Sequence, residues 1–359
     1  MKISLKISLY ILALVAIWGC TAQQERNLDL LPPAKGARGE IILVMDSVLW
    51  NGELGDAARK VFIEAVYGLP QAEPMFTTRH VSPTHFRGLL KRHKNVVIVT
   101  TFDSETSDSR LLQRGFTKAS RETVMRDSSQ YLMHKKDEYA KGQQVMHLFG
   151  KTEDQLIRKL KKNKKVIQDI INSSEEIDLR ERLLSGTSLD KGLSKLVSEK
   201  HGLRMKIPGG YRIAKDTAGF VWMRYPELRF DKNIFIAYKP YTSEKQFELD
   251  SIVNWRDELC KTHLYGDKER NPNSFILTEP LMPAKDWSVL LNNEFAKEVR
   301  GLWKTKNLTM GGPFISYVFV DQETQRLYYV EGFVFAPSRS KREFVRELKV
   351  TITSMDKKM

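Results

Sequence analysis

Two carboxylates are the first candidates for chemistry. Asp46 closes the apolar run that begins at Glu40 (EIILVM), and Asp56 follows it, with Trp50 between them. A carboxylate at the C-terminal end of a first strand lies where α/β sheets commonly carry functional groups. If a pocket moved the two pKa values apart, one acid could give a proton and the other take it. That chemistry would suit a hydrolase acting on cell-wall or glycan material. The same residues also have a plainer use. Asp46 can cap the turn, Trp50 can fill core, and Asp56 is well placed in the first turn of a helix.

Cationic residues are the second candidates. Lys159, Lys161, Lys162, Lys164 and Lys165 form the densest basic patch, on a helix whose apolar stripe includes Leu156, Leu160, Ile167, Ile170 and Ile171. Lys161, Lys162, Lys164 and Lys165 are candidates for an anion site, and a solvated helix face reads equally from the pattern. Arg300 lies on an alternating strand where Phe295, Val299 and Trp303 share one side. It faces the other side and could receive an anion. Gly311 and Gly312, in Met310–Phe314, allow close backbone approach, so their amides could hold a ligand. A sheet corner stiffened by Pro313 is the alternative.

Other signatures are missing. The chain has no HExxH, GxSxG, Walker A, GxGxxG or CxxC pattern. Its seven histidines are scattered, and although His80 and His85 flank one turn, no carboxylate stands nearby at ligand spacing. No cofactor and no metal are expected.

Cys20 carries chemistry of a different kind. Lys2 and Lys6 precede an uncharged run, Ile7–Trp18, of signal-peptide length. As a helix this run would span about 18 Å, short of the roughly 30 Å hydrocarbon core. Ile17-Trp18-Gly19-Cys20 is similar to a lipobox, although Trp18 stands where a small or branched residue is usual. Residues 1–19 therefore read as a signal peptide, and Cys20 as a lipidated anchor to the membrane. Residues 20–39, polar and containing Pro32, Pro33, Gly36 and Gly39, read as a flexible tether. Lipidation of Cys20 leaves Cys260 without a disulfide partner, and Cys260 reads as a core thiol on a helical stripe.

The formal charge is +14, and removing Lys2 and Lys6 leaves 56 basic against 44 acidic residues. This excess favours an anionic envelope polymer or an acidic protein as partner. Nucleic acid is not expected of an exported chain.

The elements that must position these residues fall into two sets. From residue 40 to 186, strands at Glu40–Asp46, Asn95–Phe102 and Gln143–Phe149 alternate with helices near 52–69, 107–125 and 152–186. Ser82-Pro83 signals a helix start, and Thr152…Gln155 a capping box. The polar triplet Asn172-Ser173-Ser174 predicts a break in the long helix. This pattern is α/β. From 187 to 359, closely spaced strands accompany helices near 188–201, 243–263 and 340–352, which predicts an α+β domain on a largely antiparallel sheet. Residues 314–320 and 327–335 read as a hairpin across Asp321–Arg326.

Several segments together resemble a known family. They are Glu40–Asp56, Tyr67-Gly68-Leu69-Pro70, Asn95–Ile98, Arg256-Asp257, Arg300–Trp303, Met310–Phe314, Glu331–Pro337 and Lys341-Arg342. The family is that of Bacteroidota lipoproteins catalogued as domain of unknown function 4837. The resemblance covers nearly the whole mature chain. It implies an outer-membrane lipoprotein and supplies no reaction, cofactor or catalytic residue. Within that lineage, the absence of an acidic cluster after Cys20 (TAQQERN) implies the periplasmic face rather than the cell surface. Asp46-Ser47-Val48, Asp216-Thr217-Ala218 and Asp250-Ser251-Ile252 are similar to its short O-glycosylation sequon, with Thr217 the best-placed acceptor. The reading is a non-enzymatic binding or assembly component, with the hydrolase as its alternative.

Overall fold

The computed structural model describes residues 30–264, 273–307 and 309–357. The expectations for residues 1–19 and for Cys20 fall outside them. The chain forms two compact units. One comprises the residues up to Asp56 with Thr78–Lys159, and the other joins Ala57–Thr77 to the chain from Leu160 onward. The sequence reading divides the chain once, near residue 186. By contact, residues 57–77 and 160–186 group with the chain from 187 onward.

The first unit is α/β. Its elements are β1 (Glu40–Val44), α1 (Ser47–Trp50), the start of α2 (Glu53–Phe62), β2 (Thr77–Val81), β3 (Asn95–Thr101), α3 (Ser107–Gln113), α4 (Lys118–Arg126), β4 (Leu132–Lys136), β5 (Gln144–Gly150) and most of α5 (Glu153–Lys162). The five-stranded sheet has the order β2-β1-β3-β5-β4. β1, β3 and β5 run parallel, with Ile42 beside Val96 and Val96 beside Val145, while β4 is antiparallel to β5. Every residue of β3 is buried, as expected of a parallel strand covered on both faces. Residues 32–35, read as tether, are in fact bonded to this unit. Ala34 N–H donates to Lys141 O and Lys35 N–H to Arg92 O, both at 2.9 Å.

The second unit is α+β. Its helices are α6 (Lys164–Leu183), α7 (Lys191–His201), α8 (Leu249–His263) and α9 (Arg342–Ile352). Its strands are β6 (Leu203–Arg204), β7 (Arg212–Thr217), β8 (Phe220–Glu227), β9 (Phe230–Pro240), β10 (Ile276–Thr278), β11 (Lys285–Leu291), β12 (Glu294–Thr305), β13 (Gly311–Asp321), β14 (Arg326–Phe335) and β15 (Asp356–Lys357). The main sheet is antiparallel in the order β10-β12-β13-β14-β9-β8-β7, with β11 also on β12. The hairpin expected across Asp321–Arg326 joins β13 to β14. Both sheet faces are covered. Ile252, Trp255 and Cys260 of α8 pack on one face with Val299, Trp303 and Phe314. Val197 of α7 and Leu348 and Ile352 of α9 pack on the other with Ile315, Tyr317 and Val330. Double coverage explains why β13 is buried at all but its first residue and shows no alternation.

The long helix breaks at Asn163 and runs unbroken through Asn172-Ser173-Ser174. Burial of Ile171 and Glu175 on either side of the triplet outweighs its weak helix propensity. The helix expected to reach residue 69 ends at Phe62. Gly68 beyond it has φ +84°, a left-handed conformation that no helix continues.

Candidate functional site

Asp46 is almost fully buried in the first unit. It is the N-cap of α1: Val48 N–H donates to Oδ1 at 2.7 Å and Leu49 N–H at 3.2 Å. Oδ2 accepts Ser109 N–H at 3.1 Å, Ser109 Oγ at 2.9 Å and the Thr106 hydroxyl. Burial pushes the carboxyl pKa up, but the hydrogen bonds from Thr106, Leu49, Ser109 and Val48 outweigh it and hold the group below the usual range. The carboxylate thus ties the end of β1 to the start of α3. Asp56 lies exposed in the first turn of α2. Trp50 stacks on His80, with ring centroids 4.6 Å apart, and His80 Nε2 lies 2.9 Å from Met45 O. His85 instead bonds Ser82.

The second unit contains a cleft of about 830 Å³, inside the range of small-ligand sites. Its floor is the exposed end of the sheet. Trp287 of β11 stands opposite Glu298 of β12, and Glu298 opposite Tyr317 of β13. Directly paired residues share a face, so indole, carboxylate and phenol form one row across three strands. Arg300, two residues beyond Glu298, shares that face and donates from Nε to Glu298 Oε1 at 2.7 Å. Tyr317 donates its hydroxyl to Glu298 Oε2. Burial raises the Glu298 pKa, yet the charges of Arg300 and Lys349 and the Tyr317 bond bring it below its ordinary value. Trp287 is 40% exposed and meets Tyr67 edge-on at 5.9 Å.

Helices α6 and α9 supply the cationic walls. Lys164 pairs with Glu64 at 2.8 Å, Lys165 with Asp169 at 3.0 Å and Lys349 with Glu176 at 2.6 Å. Arg346 grips Glu343 at 2.7 and 2.9 Å, and Arg342 donates to Pro74 O at 2.7 Å. The lining holds seven cations (Lys162, Lys164, Lys165, Arg300, Arg342, Arg346, Lys349) and four acids (Glu64, Asp169, Glu176, Glu298). Its excess charge is positive even with the internal pairs formed. Arg300 and the lysines of the 162–165 segment, far apart in sequence, therefore meet in one cleft. Lys161, exposed on α5, is not part of its lining.

A second polar node holds the sheet to α8. Arg256 donates from Nε and Nη2 to the two oxygens of Glu331, each at 2.8 Å, with both side chains buried. Tyr329 adds its hydroxyl to Glu331 Oε2 at 2.5 Å, and the guanidinium lies 4.1 Å over the Phe314 ring. The neighbouring Cys260 is fully buried, and burial pushes its thiol above its ordinary pKa, as for a core thiol.

Residues 190–354 match the family described as Domain of unknown function (DUF4837). Residues 34–183 match a second, Domain of unknown function (DUF8532). The resemblance read over nearly the whole mature chain thus divides in two near residue 186. No curated protein matches the chain in sequence. Among solved structures, cyanobacterial PsbP (CyanoP) from Synechocystis sp. PCC 6803 is 12% identical. It aligns with 45% of this chain and 89% of its own, at a TM-score of 0.29. The human StarD13 (DLC2) lipid transfer and protein localization domain is 8% identical over 47% and 98%, at a TM-score of 0.21. Neither likeness bears on ligand or activity.

The DUF4837 segments are contact partners in space. Arg256 meets Glu331. A Cβ on Gly312 would come within 2.1 Å of Val334 O and 3.1 Å of Trp303 Nε1. Gly311 and Gly312 therefore serve close strand packing at the start of β13, and neither lines the cleft. Thr217 is the exposed last residue of β7, before the turn at Gly219. Ser47 and Ser251 lie within helices. Among the described residues no cluster of three or more His, Cys, Asp or Glu could hold a metal, and no helix is long and apolar enough to cross a membrane.

Of the residues singled out in the sequence, Arg300, Lys162, Lys164 and Lys165 line the cleft; Trp287, Glu298 and Tyr317 were not among the candidates. A signal for β11 was present. Trp287, Val289 and Leu291 alternate, and Asn292-Asn293 follows with φ of 51° and 66°, the two-residue turn that a tight hairpin requires.

Proposed function

We propose that this chain is a lipid-anchored envelope protein, tethered through Cys20 to the periplasmic face of the outer membrane. In this reading it is a binding or assembly component rather than an enzyme, and the cleft of the second unit holds an anionic polymer or partner. The observation that carries the reading is the cleft itself, with its cationic excess set around Trp287. Asp46 supports it from the other side, because five donors already occupy its oxygens. A hydrolase would need that carboxylate available to substrate.

The experiment has two arms. Metabolic labelling with a fatty-acid analogue should mark the wild-type chain and leave Cys20→Ala unmarked. Lipid on Cys20→Ala would overturn the anchor. Lys164→Glu with Lys165→Glu should abolish co-purification of anionic envelope material from washed membranes. Unchanged recovery would overturn the cleft as the binding site.

A further inference from the structure

Four features of the cleft floor narrow the ligand beyond its charge. Trp287 offers an indole face next to a carboxylate and a guanidinium, and it is exposed although it lies on a covered face of the sheet. Arg300 lies 6.0 Å from that ring, so an anion drawn to the guanidinium stands beside the indole. Glu298 is buried, ionised and acceptor-only, with its carboxylate shared between Arg300 and Tyr317. Finally, two cations of the walls, Lys164 and Lys349, are already paired with acids inside the same cleft, Glu64 and Glu176.

A bare phosphate gains little from this arrangement. At Lys164 or Lys349 it would compete with Glu64 or Glu176, and it has no surface to lay on an indole. A fully apolar ligand would leave the charged walls without compensation. A sugar ring carrying a carboxylate fits each element. Its C–H face covers the indole, as apolar groups cover aromatic rings generally. Its hydroxyls donate to carboxylates and accept from lysines, so the internal ion pairs become hydrogen-bonding partners and need not be broken. Its acidic substituent meets Arg300 at the donors left over from Glu298, since Nε and Nη2 each reach Glu298 Oε1 at 2.7 Å and a guanidinium carries five N–H groups. The residual positive charge selects acidic over neutral glycans.

We infer that the cleft of the second unit is a binding site for an acidic saccharide segment, with the sugar ring on Trp287 and its carboxylate on Arg300. This rests on the reading of the cleft as an anion site and adds the sugar to it. The test is calorimetric titration of the full chain with three probes: a galacturonic acid trisaccharide, a neutral trisaccharide and inorganic phosphate. The uronate should bind at least about tenfold more tightly than either of the others. Trp287→Ala should weaken it about tenfold or more, and Arg300→Gln should erase the preference over the neutral sugar. Trp287→Leu keeps apolar cover without a ring face and should fail like the alanine. This second variant serves if the alanine does not fold. Phosphate binding as tightly as the uronate, with Trp287→Leu unchanged, would overturn the sugar and leave the anion site standing. Failure of all three probes would overturn both.

Discussion

On β12, Arg300 Nε donates to Glu298 Oε1 at 2.7 Å across two residues of one sheet face. The other carboxylate oxygen takes the Tyr317 hydroxyl, so one acid fixes both a half-buried cation and a buried phenol. Glu298 has a folded pKa below its ordinary value of about 4.3. A depressed carboxylate contributes stability that is complete above the unfolded pKa and is lost as pH falls through the folded one. Wild type should therefore exceed Glu298→Gln in stability at pH 7, by about 1–3 kcal/mol. That gap should shrink below about pH 4. Urea unfolding at pH 7 and pH 3 checks both points, and a gap that widened in acid would contradict them.

Asp46→Asn places an amide N–H₂ against donors. Unfolding of the first unit should become easier by about 1–3 kcal/mol, the cost of leaving buried groups unpaired. Ligand binding by the second unit should not change. Hydrogen exchange of β1 and α3 reports the first effect, and titration of the folded variant the second.

Arg256→Met leaves Glu331 buried without its bidentate partner. Removing one member of such a pair costs about 3–5 kcal/mol. Arg256→Met with Glu331→Leu should regain much of that loss, because a well-packed apolar pair avoids the stranded charge. Denaturant midpoints of wild type and the two variants decide this, and equal loss in the single and double variants would refute it.

Gly68 lies flat on β12. A Cβ there would stand 3.2 Å from Arg300 Cβ, on a backbone with φ +84°. Gly68→Ala should cost about 1–2 kcal/mol from the left-handed backbone alone. It should also weaken uronate binding by shifting Arg300. A thermal melt and a titration measure the two effects, and lost stability with full affinity would mean that Arg300 keeps its place.

Legibility in the sequence followed how local each signal is. The direction of Arg300 could be read because strand alternation depends only on Val299 and Trp303 beside it. Gly311-Gly312 left two readings open, and the Val334 carbonyl that decides between them lies on the neighbouring strand β14. The continuity through Asn172–Ser174 depended on burial of Ile171 and Glu175, which only tertiary packing supplies. β11 was readable from Asn292-Asn293 and its alternation. Its role, which sets Trp287 opposite Glu298, depends on strand register. The cleft as a whole joins residues from 64 to 349, and no spacing within the chain announces it.

The most direct test of the cleft as the binding site is photo-crosslinking in living cells. A photoreactive residue at Ser288, on the cleft lining, is compared with one at Leu228, which is 99% exposed and not among the lining residues. The account predicts a glycan-bearing adduct at Ser288 that mass spectrometry resolves, lost on Arg300→Gln, and none at Leu228. Adducts equal at both positions, or at Ser288 independent of Arg300, would contradict it.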